Sequence, residues 1–446
     1  MTGLQDAVRA GADAAVALRR RLHRHPEVGW TEYYATWQIA GALADLTPEV
    51  QVTGADLYRD VPRMGLPAAE VDEAARRDAR EAGVPEAWLD STAGGRTGLV
   101  AVLDSGVPGP EVTLRADLDA LPVTESDAAE HAPAAAGFRS RRDGISHACG
   151  HDGHAATLCL VAAALRAVGE PRRGRVRLVF QPAEEGARGA AALVDAGWLD
   201  ETDVFLSLHN ASRDWFTVGD VSEGVHDILA TTKIDVHLTG TEAHAALAPE
   251  RGRSALVAAS AIALLVPAMP RRSDVQTVTA VGELHAGTSR NVVPGSAVLR
   301  AEIRSSDESE VEALTTRFGT LLAGIGAALE VGVRAETVGR AAAADSDPEL
   351  MARVGGVIDA LPGLRRVPSM RFDASDDAAT MMRHVQRRGG VASYLHIGNA
   401  FPGATHSPLF DIDERILTVG AQVLAAATVD ALSGGAGVRR ERNGDR

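Results

Sequence analysis

Cysteine is nearly absent from this chain: two residues in 446, Cys149 and Cys159. One falls on an expected loop and the other inside an expected helix, so no disulfide framework is available, and a reduced, cytoplasmic setting is expected. Aromatic residues make up only 4% of the sequence, which leaves packing to Ala, Val and Leu. Basic side chains are outnumbered, 45 against 60 acidic, for a formal charge of −15. That balance excludes a surface built to attract nucleic acid or anionic lipid. No apolar run reaches membrane-spanning length; the longest, Ser254 to Met269, is Ala-rich and interrupted by Pro267, and is expected as a buried helix. The first residues carry amphipathic helical periodicity rather than the apolar core of a signal peptide.

What is present is ordinary globular material, 45% hydrophobic and 24% charged, with a mean hydropathy of −0.04. The length suggests two or three domain-sized units. Helical periodicity covers residues 4–24 and 31–46, with Pro26 between them, and a charged, Ala-rich stretch from Tyr58 to Leu89 reads as an insertion lying over the site or the surface. Short apolar strands follow at Thr97–Asp104, Val112–Asp117, Val176–Gln181 and Val204–His209, alternating with helices at 154–168 and 187–196. Such alternation predicts an α/β sheet with helices on both faces. From 230 to 338 the order becomes strand, helix, strand, strand, helix, strand, a ferredoxin-like pattern complete in itself and so expected as an inserted α+β domain. The α/β texture then resumes over 339–433, with a strand at Ser393–Ile397 and a helix near Glu414–Leu432, before a Gly- and Arg-rich tail at 434–446 that is expected to fray. The first part of the larger unit is therefore 1–229.

The densest chemical signal is His147-Ala-Cys149-Gly-His151-Asp-Gly-His154. His147, Cys149 and His151 occupy alternate positions, which on extended backbone project to one side. Gly150 adds the freedom to bring Cys149 and His151 to a common cation, and a thiolate can bridge two. A helix-capping loop would account for any single one of these residues, but close Cys and His spacing points to metal. A second signal, Gln181-Pro-Ala-Glu184-Glu185-Gly, ends an apolar strand; adjacent residues there point apart, so one glutamate can ligate metal while the other serves as a base. Alone, it also reads as an acidic helix start. His209 closes another buried strand, where open α/β sheets gather their sites, and His406 lies in a loop after the late strand. Together Cys149, His151, Glu185, His209 and His406 provide five ligands of mixed type, with Glu184 left for proton transfer in amide hydrolysis.

These residues resemble the M20 metallopeptidases, and within them the amidohydrolase branch of hippurate, auxin-conjugate and aminobenzoyl-glutamate hydrolases. Seven motifs carry the resemblance in order: Leu22-His-Arg-His-Pro-Glu27, Arg115-Ala-Asp117-Leu-Asp119-Ala-Leu-Pro122, the Cys149 block, Gln181-Pro-Ala-Glu-Glu185, Gly240-Thr-Glu-Ala-His244-Ala, Arg290-Asn291-Val-Val-Pro294 and His406. The resemblance implies a mixed-sheet, zinc-peptidase-like catalytic domain with a ferredoxin-like lid and dimerisation domain. It implies two divalent ions, Mn²⁺ or Zn²⁺ with Co²⁺ also suited, bridged by Cys149 and completed by His151, Glu185, His209 and His406. Glu184 would be the general base, and Asp117 an outer-shell carboxylate orienting a ligand histidine. His244 and Asn291 would approach the site of the partner subunit to hold the oxyanion and the substrate carboxylate. The insertion from Pro62 to Leu89 resembles the A-type chains of the aminobenzoyl-glutamate group rather than the shorter hippurate type. Asp376-Asp377, where the hippurate type has Glu-Asp, and Ser407-Pro408 after His406 depart from that type and are expected to alter the substrate pocket.

Arg290 is a candidate for reading a second substrate carboxylate, since guanidinium suits planar bidentate recognition; a surface arginine beside Asn291 is the plainer alternative. The expected substrate is a small N-acyl or N-aroyl amino acid, aminobenzoyl-glutamate-like first, with a dipeptidase or aminoacylase of the same family as runner-up. A homodimer through the lid is expected, or a heteromer with a related subunit, with no nucleic-acid or membrane partner. Two rivals stand apart: a non-catalytic subunit, and a cysteine hydrolase using Cys149 with a histidine base.

Overall fold

The structure, a computed structural model, describes residues 2–211, 213–399 and 403–434; from residue 435 onward the expected frayed tail lies outside them. An eight-stranded mixed sheet runs in the order Val50–Val52, Leu99–Asp104, Arg175–Gln181, Glu111–Asp117, Val204–Ala211, Val391–Gly398, Asp220–Ser222, Arg365–Val367. Its centre, from Arg175–Gln181 to Val391–Gly398, is parallel, and the strands there are continuous apolar runs buried on both faces. Helices Thr2–Arg24, His151–Ala167 and Arg415–Ser433 cover one face through Leu18, Leu22, Leu158, Leu165 and Leu424. Gly189–Asp195 and Ala378–Arg387 cover the other, around Trp30, Phe205 and Tyr394. Arg415–Ser433 is long and apolar enough to cross a membrane by composition, but 72% of its apolar window is buried inside the protein, as in a core helix.

The stretch after Tyr58 forms helices Ala69–Glu81 and Glu86–Ser91, which pack Ala75, Ala79 and Leu89 into the main core instead of lying loose over it. Its leading segment turns inward: the Met64 carbonyl accepts from the Trp30 indole at 2.9 Å, and that of Gly65 from Arg188 at 2.8 Å.

Between Ala230 and Ala341 the chain builds its own antiparallel sheet, ordered Gly332–Ala341, Ala230–Thr239, Ser296–Ser305, Thr277–Ala286, as a ferredoxin-like βαββαβ unit requires. Side-chain caps from Ser254 and Asp307 start its two helices, Ala255–Leu265 and Glu308–Leu329. The last strand runs on to Ala341, past the expected boundary at 338. The helix within Ser254–Met269 corrects the expectation of full burial. Ala255, Ala258, Ala259 and Ile262 face the sheet, but Val257 is 55% and Leu264 78% exposed, with Leu256 and Leu265 beside them. A helix apolar all round needs cover on both sides, and this sheet supplies one.

Candidate active site

The site gathers at the carboxyl ends of the parallel strands, where strand order reverses. Asp117 ends Glu111–Asp117, Glu184 and Glu185 follow Arg175–Gln181, and His209 lies near the end of Val204–Ala211. Gly150, at φ 90°, is the left-handed residue that breaks the chain into helix His151–Ala167 and delivers Cys149 and His151 to the same point. A Cβ there would come within 2.2 Å of the Asn210 side chain.

Ligand atoms of Cys149, His151 and Glu185 form one group, all within 4.8 Å of one another, and Asp117, His151, His154 and His209 form a second. Cys149 Sγ stands 3.4 Å from His209 Nε2, whose Nδ1 is turned to the Asn210 carbonyl at 2.7 Å. His151 Nε2 lies 3.8 Å from Glu185 and 3.9 Å from Glu184, and His406 Nε2 reaches Glu185 at 3.6 Å. Both ring nitrogens of His151 and Oε1 of Glu185 are buried without a hydrogen-bond partner. Orphaned buried polar atoms are costly, and two of these, His151 Nε2 and Glu185 Oε1, face each other at 3.8 Å. A thiol, imidazoles and carboxylates so arranged fit a pair of divalent cations.

The electrostatics agree. Burial, aided by Glu185, pushes the Cys149 thiol up, and burial lifts the Glu185 carboxyl to about 7. Burial alone would lower His151, yet Asp117 and Cys149 hold it well above the usual imidazole range. Burial, with His154 beside it, holds His209 well below. A divalent ion reverses the preference of Cys149, Glu185 and His151 for their protonated forms, while His209 is already held in the neutral form that ligates. Glu184 is lifted well above the carboxylate range by burial and then by Asp376, Glu185 and Asp377, a setting that suits a base which must later release its proton.

Several expectations change in detail. His147 does not join the cluster: the turn in which the Gly150 amide meets the His147 carbonyl ends the extended alternation, and His147 packs 6.2 Å from His23. The two glutamates do not point apart either. They sit on a turn after Ala183, itself at φ 55°, with both backbone amides held by the Asp119 carboxylate at 2.9 and 3.0 Å. Both side chains face His151; Glu184 leans to Asp376 and Asp377, Glu185 to Cys149 and His406. Asp117 bonds His154 at 2.6 Å and stands 3.9 Å from His151, while Asp119 is nearer to His151 at 3.4 Å. His154 Nε2 is engaged by the Asn210 amide, so that ring braces the site.

Asp376 and Asp377 lie beneath the site rather than on a pocket wall. Arg115 ties them to Asp117 and Gln181, and the Tyr394 hydroxyl donates to Asp376 at 2.5 Å. His244, Arg290 and Asn291 group together on exposed loops of the smaller sheet, where His244 pairs with Val292 and its Nδ1 accepts from Ala246 and Leu247. Sequence reasoning missed Asp119, although it stands in the same motif as Asp117. It also missed Lys233, whose ammonium donates to the Glu185 carbonyl at 2.7 Å and which is the only lysine in the sequence.

The model of peptidase family M20/M25/M40 matches residues 113–430, and the chain belongs to that family. It is 36% identical over 415 residues to the A-type chain of p-aminobenzoyl-glutamate hydrolase from Escherichia coli (strain K12), covering 92% of this chain and 94% of that protein. Against indole-3-acetyl-aspartic acid hydrolase of Enterobacter agglomerans the identity is 37%, over 92% and 94% of the two chains. The crystal structure of the aminobenzoyl-glutamate utilization protein from Klebsiella pneumoniae superposes with a TM-score of 0.82 at 34% identity, covering 96% of this chain and 98% of that one.

Proposed function

We propose that this M20 hydrolase cleaves the amide bond of N-acyl and N-aroyl amino acids, with aminobenzoyl-glutamate-like compounds as its first substrates. The observation that carries the reading is the convergence of Cys149, His151, Glu185, His209 and His406 on unpartnered buried donor atoms, with Glu184 alongside. Residues 1–229 and 339–433 would form the catalytic domain and 230–338 the lid.

Cys149 would bridge two divalent ions, with His151, Glu185, His209 and His406 completing their shells; Zn²⁺, Mn²⁺ and Co²⁺ all suit this donor set. When bound, the ions acidify a water and polarise the scissile carbonyl. Glu184 would take a proton from the attacking water at a carboxylate oxygen and deliver it to the amide nitrogen as the C–N bond breaks. Asp119 fixes the turn that aims Glu184, and Asp117 with His154 braces the ligand side. His244 and Asn291 would serve the partner subunit's site, holding the oxyanion and the substrate carboxylate, and Arg290 would read a second carboxylate. Their exposure, and the uncovered apolar face formed by Val257 and Leu264, support a homodimer through the lid. The similar Escherichia coli protein is named as one subunit of its enzyme, so a heteromer is the second reading. Two unpaired cysteines suit a cytoplasmic setting.

The test is a panel of N-acyl and N-aroyl amino acids assayed with each metal, Glu184→Gln serving as blank. Turnover of aroyl-glutamates by wild type alone supports the reading. Turnover that survives metal removal would revive a Cys149 nucleophile. Inactivity restored by a related subunit would favour the heteromer.

A further inference from the structure

Lys233 stands alone among 45 basic residues, all the others being arginine. It sits on the strand Ala230–Thr239 of the smaller sheet, yet its ammonium donates to the backbone carbonyl of Glu185, in the catalytic loop, at 2.7 Å. An ammonium beside a site for two divalent cations is electrostatically unfavourable, so its presence calls for a positional reason. The surroundings give one. Opposite Lys233 the strand Gly332–Ala341 slips register between Thr337 and Gly339, leaving Val338 as an extra residue. Bulges of this kind re-aim a strand and recur beside active sites.

At this bulge the smaller sheet lands on the loop. A Cβ on Gly339 would lie 1.9 Å from the Gly186 carbonyl, and the Arg340 amide donates to the Ala187 carbonyl at 2.7 Å. The inserted segment joins the same joint, since a Cβ on Gly65 would meet the Val338 carbonyl at 2.5 Å and Arg188 binds the Gly65 carbonyl. Three carbonyls in a row, of Glu185, Gly186 and Ala187, are thus held or pressed by the lid sheet.

We propose that Lys233 is a positioning residue: by gripping the Glu185 carbonyl at the Val338–Gly339 bulge, it straps the lid sheet to the metal-binding loop and makes cation affinity depend on how the lid is seated. This rests on Glu185 being a metal ligand. A guanidinium presents its donors in a rigid planar fork rather than at a point, so Lys233→Arg is not expected to reproduce this grip.

The experiment measures Zn²⁺ and Mn²⁺ affinity by chelator competition, together with kcat, KM and Tm of the metal-free protein, for the full chain carrying Lys233→Met, Lys233→Arg or Gly339→Ala. The expected result is a roughly tenfold or greater loss of metal affinity in all three, the range for residues that orient ligands from outside the first shell. KM should shift equally for glutamyl and neutral substrates, and metal-free Tm should change little for the two Lys233 variants and fall for Gly339→Ala, whose Cβ would meet the Gly186 carbonyl at 1.9 Å. Full rescue by Lys233→Arg overturns the proposal. So does unchanged metal affinity with a KM rise confined to glutamyl substrates, which would make Lys233 a substrate contact. Should Lys233→Met fail to fold, Gly339→Ala decides, because it leaves the lysine in place and displaces the loop. Glu185→Gln separates the two levels: if it keeps full metal occupancy, the ligand assignment beneath the proposal is what has failed.

Discussion

The two sheets of this protein treat their candidate functional residues in opposite ways. On the eight-stranded sheet Asp117, Cys149, His151 and Glu184 are all buried, braced by one another and by groups such as Asp119 and Arg115. On the four-stranded sheet His244, Arg290 and Asn291 lie exposed on loops, and an apolar helix face is left bare beside the same unit. One half is a finished instrument within a single chain; the other becomes complete when something covers it. Burial surrounds the candidate ligands with one another's charges, whereas His244, Arg290 and Asn291 stay open to solvent.

The sharpest way to break that contrast is to empty the buried half. Chelation should abolish activity, and Zn²⁺, Mn²⁺ or Co²⁺ should restore it; activity that persists in the metal-free protein would end the metal reading. Cys149→Ser should lower metal occupancy and rate together, while Cys159→Ala, on the buried face of helix His151–Ala167, should cost about 1 kcal/mol of stability and no metal. Next in size is Glu184→Gln, which keeps the amide in place of the carboxylate. It should retain the metals, measured by elemental analysis, and lower kcat by roughly 10²–10⁴-fold, the range of general acid–base catalysis.

Most of this was legible in the sequence, for reasons that differ by region. The buried strands announced themselves because parallel sheets demand continuous apolar runs, and the ferredoxin-like unit because its elements follow one another with local turns. The candidate ligands were legible as residue types but not as geometry. Nothing in His147-Ala-Cys149 tells that Gly150 turns left-handed and sends His147 away from the cluster. The acidic pair Asp376-Asp377 read as a pocket feature because its partner, Arg115, is more than 250 positions away. Helices Pro348–Asp359 and Ala378–Arg387 went unread, although Leu350, Val354 and Ile358 in the first and Ala378, Met381, Met382 and Val385 in the second bury one face at helical spacing. The helix within Ser254–Met269 was misjudged because apolar composition reports a need for cover without saying who provides it.

That cover is the next point of attack. Leu264→Glu, on the bare face, should convert a dimer to a monomer by light scattering while metal content stays unchanged. If His244 serves the neighbouring site, the monomer should lose about 10²-fold in kcat, as removal of an oxyanion donor does. Mixing protomers refines the result. A Glu184→Gln protomer paired with a His244→Ala protomer regains one intact site if the lid acts across the dimer and none if it acts within its own chain. A fully active monomer would dissolve the contrast between the two halves.

The smallest expected effect tests recognition alone. Arg290→Ala should raise KM for aroyl-glutamates by about tenfold, close to the ~1.5 kcal/mol of one charge-assisted hydrogen bond, and leave neutral N-acyl amino acids almost untouched. Metal content and kcat should not move, because Arg290 is exposed on the smaller sheet and makes no contact with the buried ligands among the described residues. An equal loss for both substrate types would reduce Arg290 to a surface residue that steadies Asn291, and would shift the reading of the second carboxylate to a cation nearer the metals. The outcome therefore decides whether the open half of the molecule selects its substrate or merely closes over it.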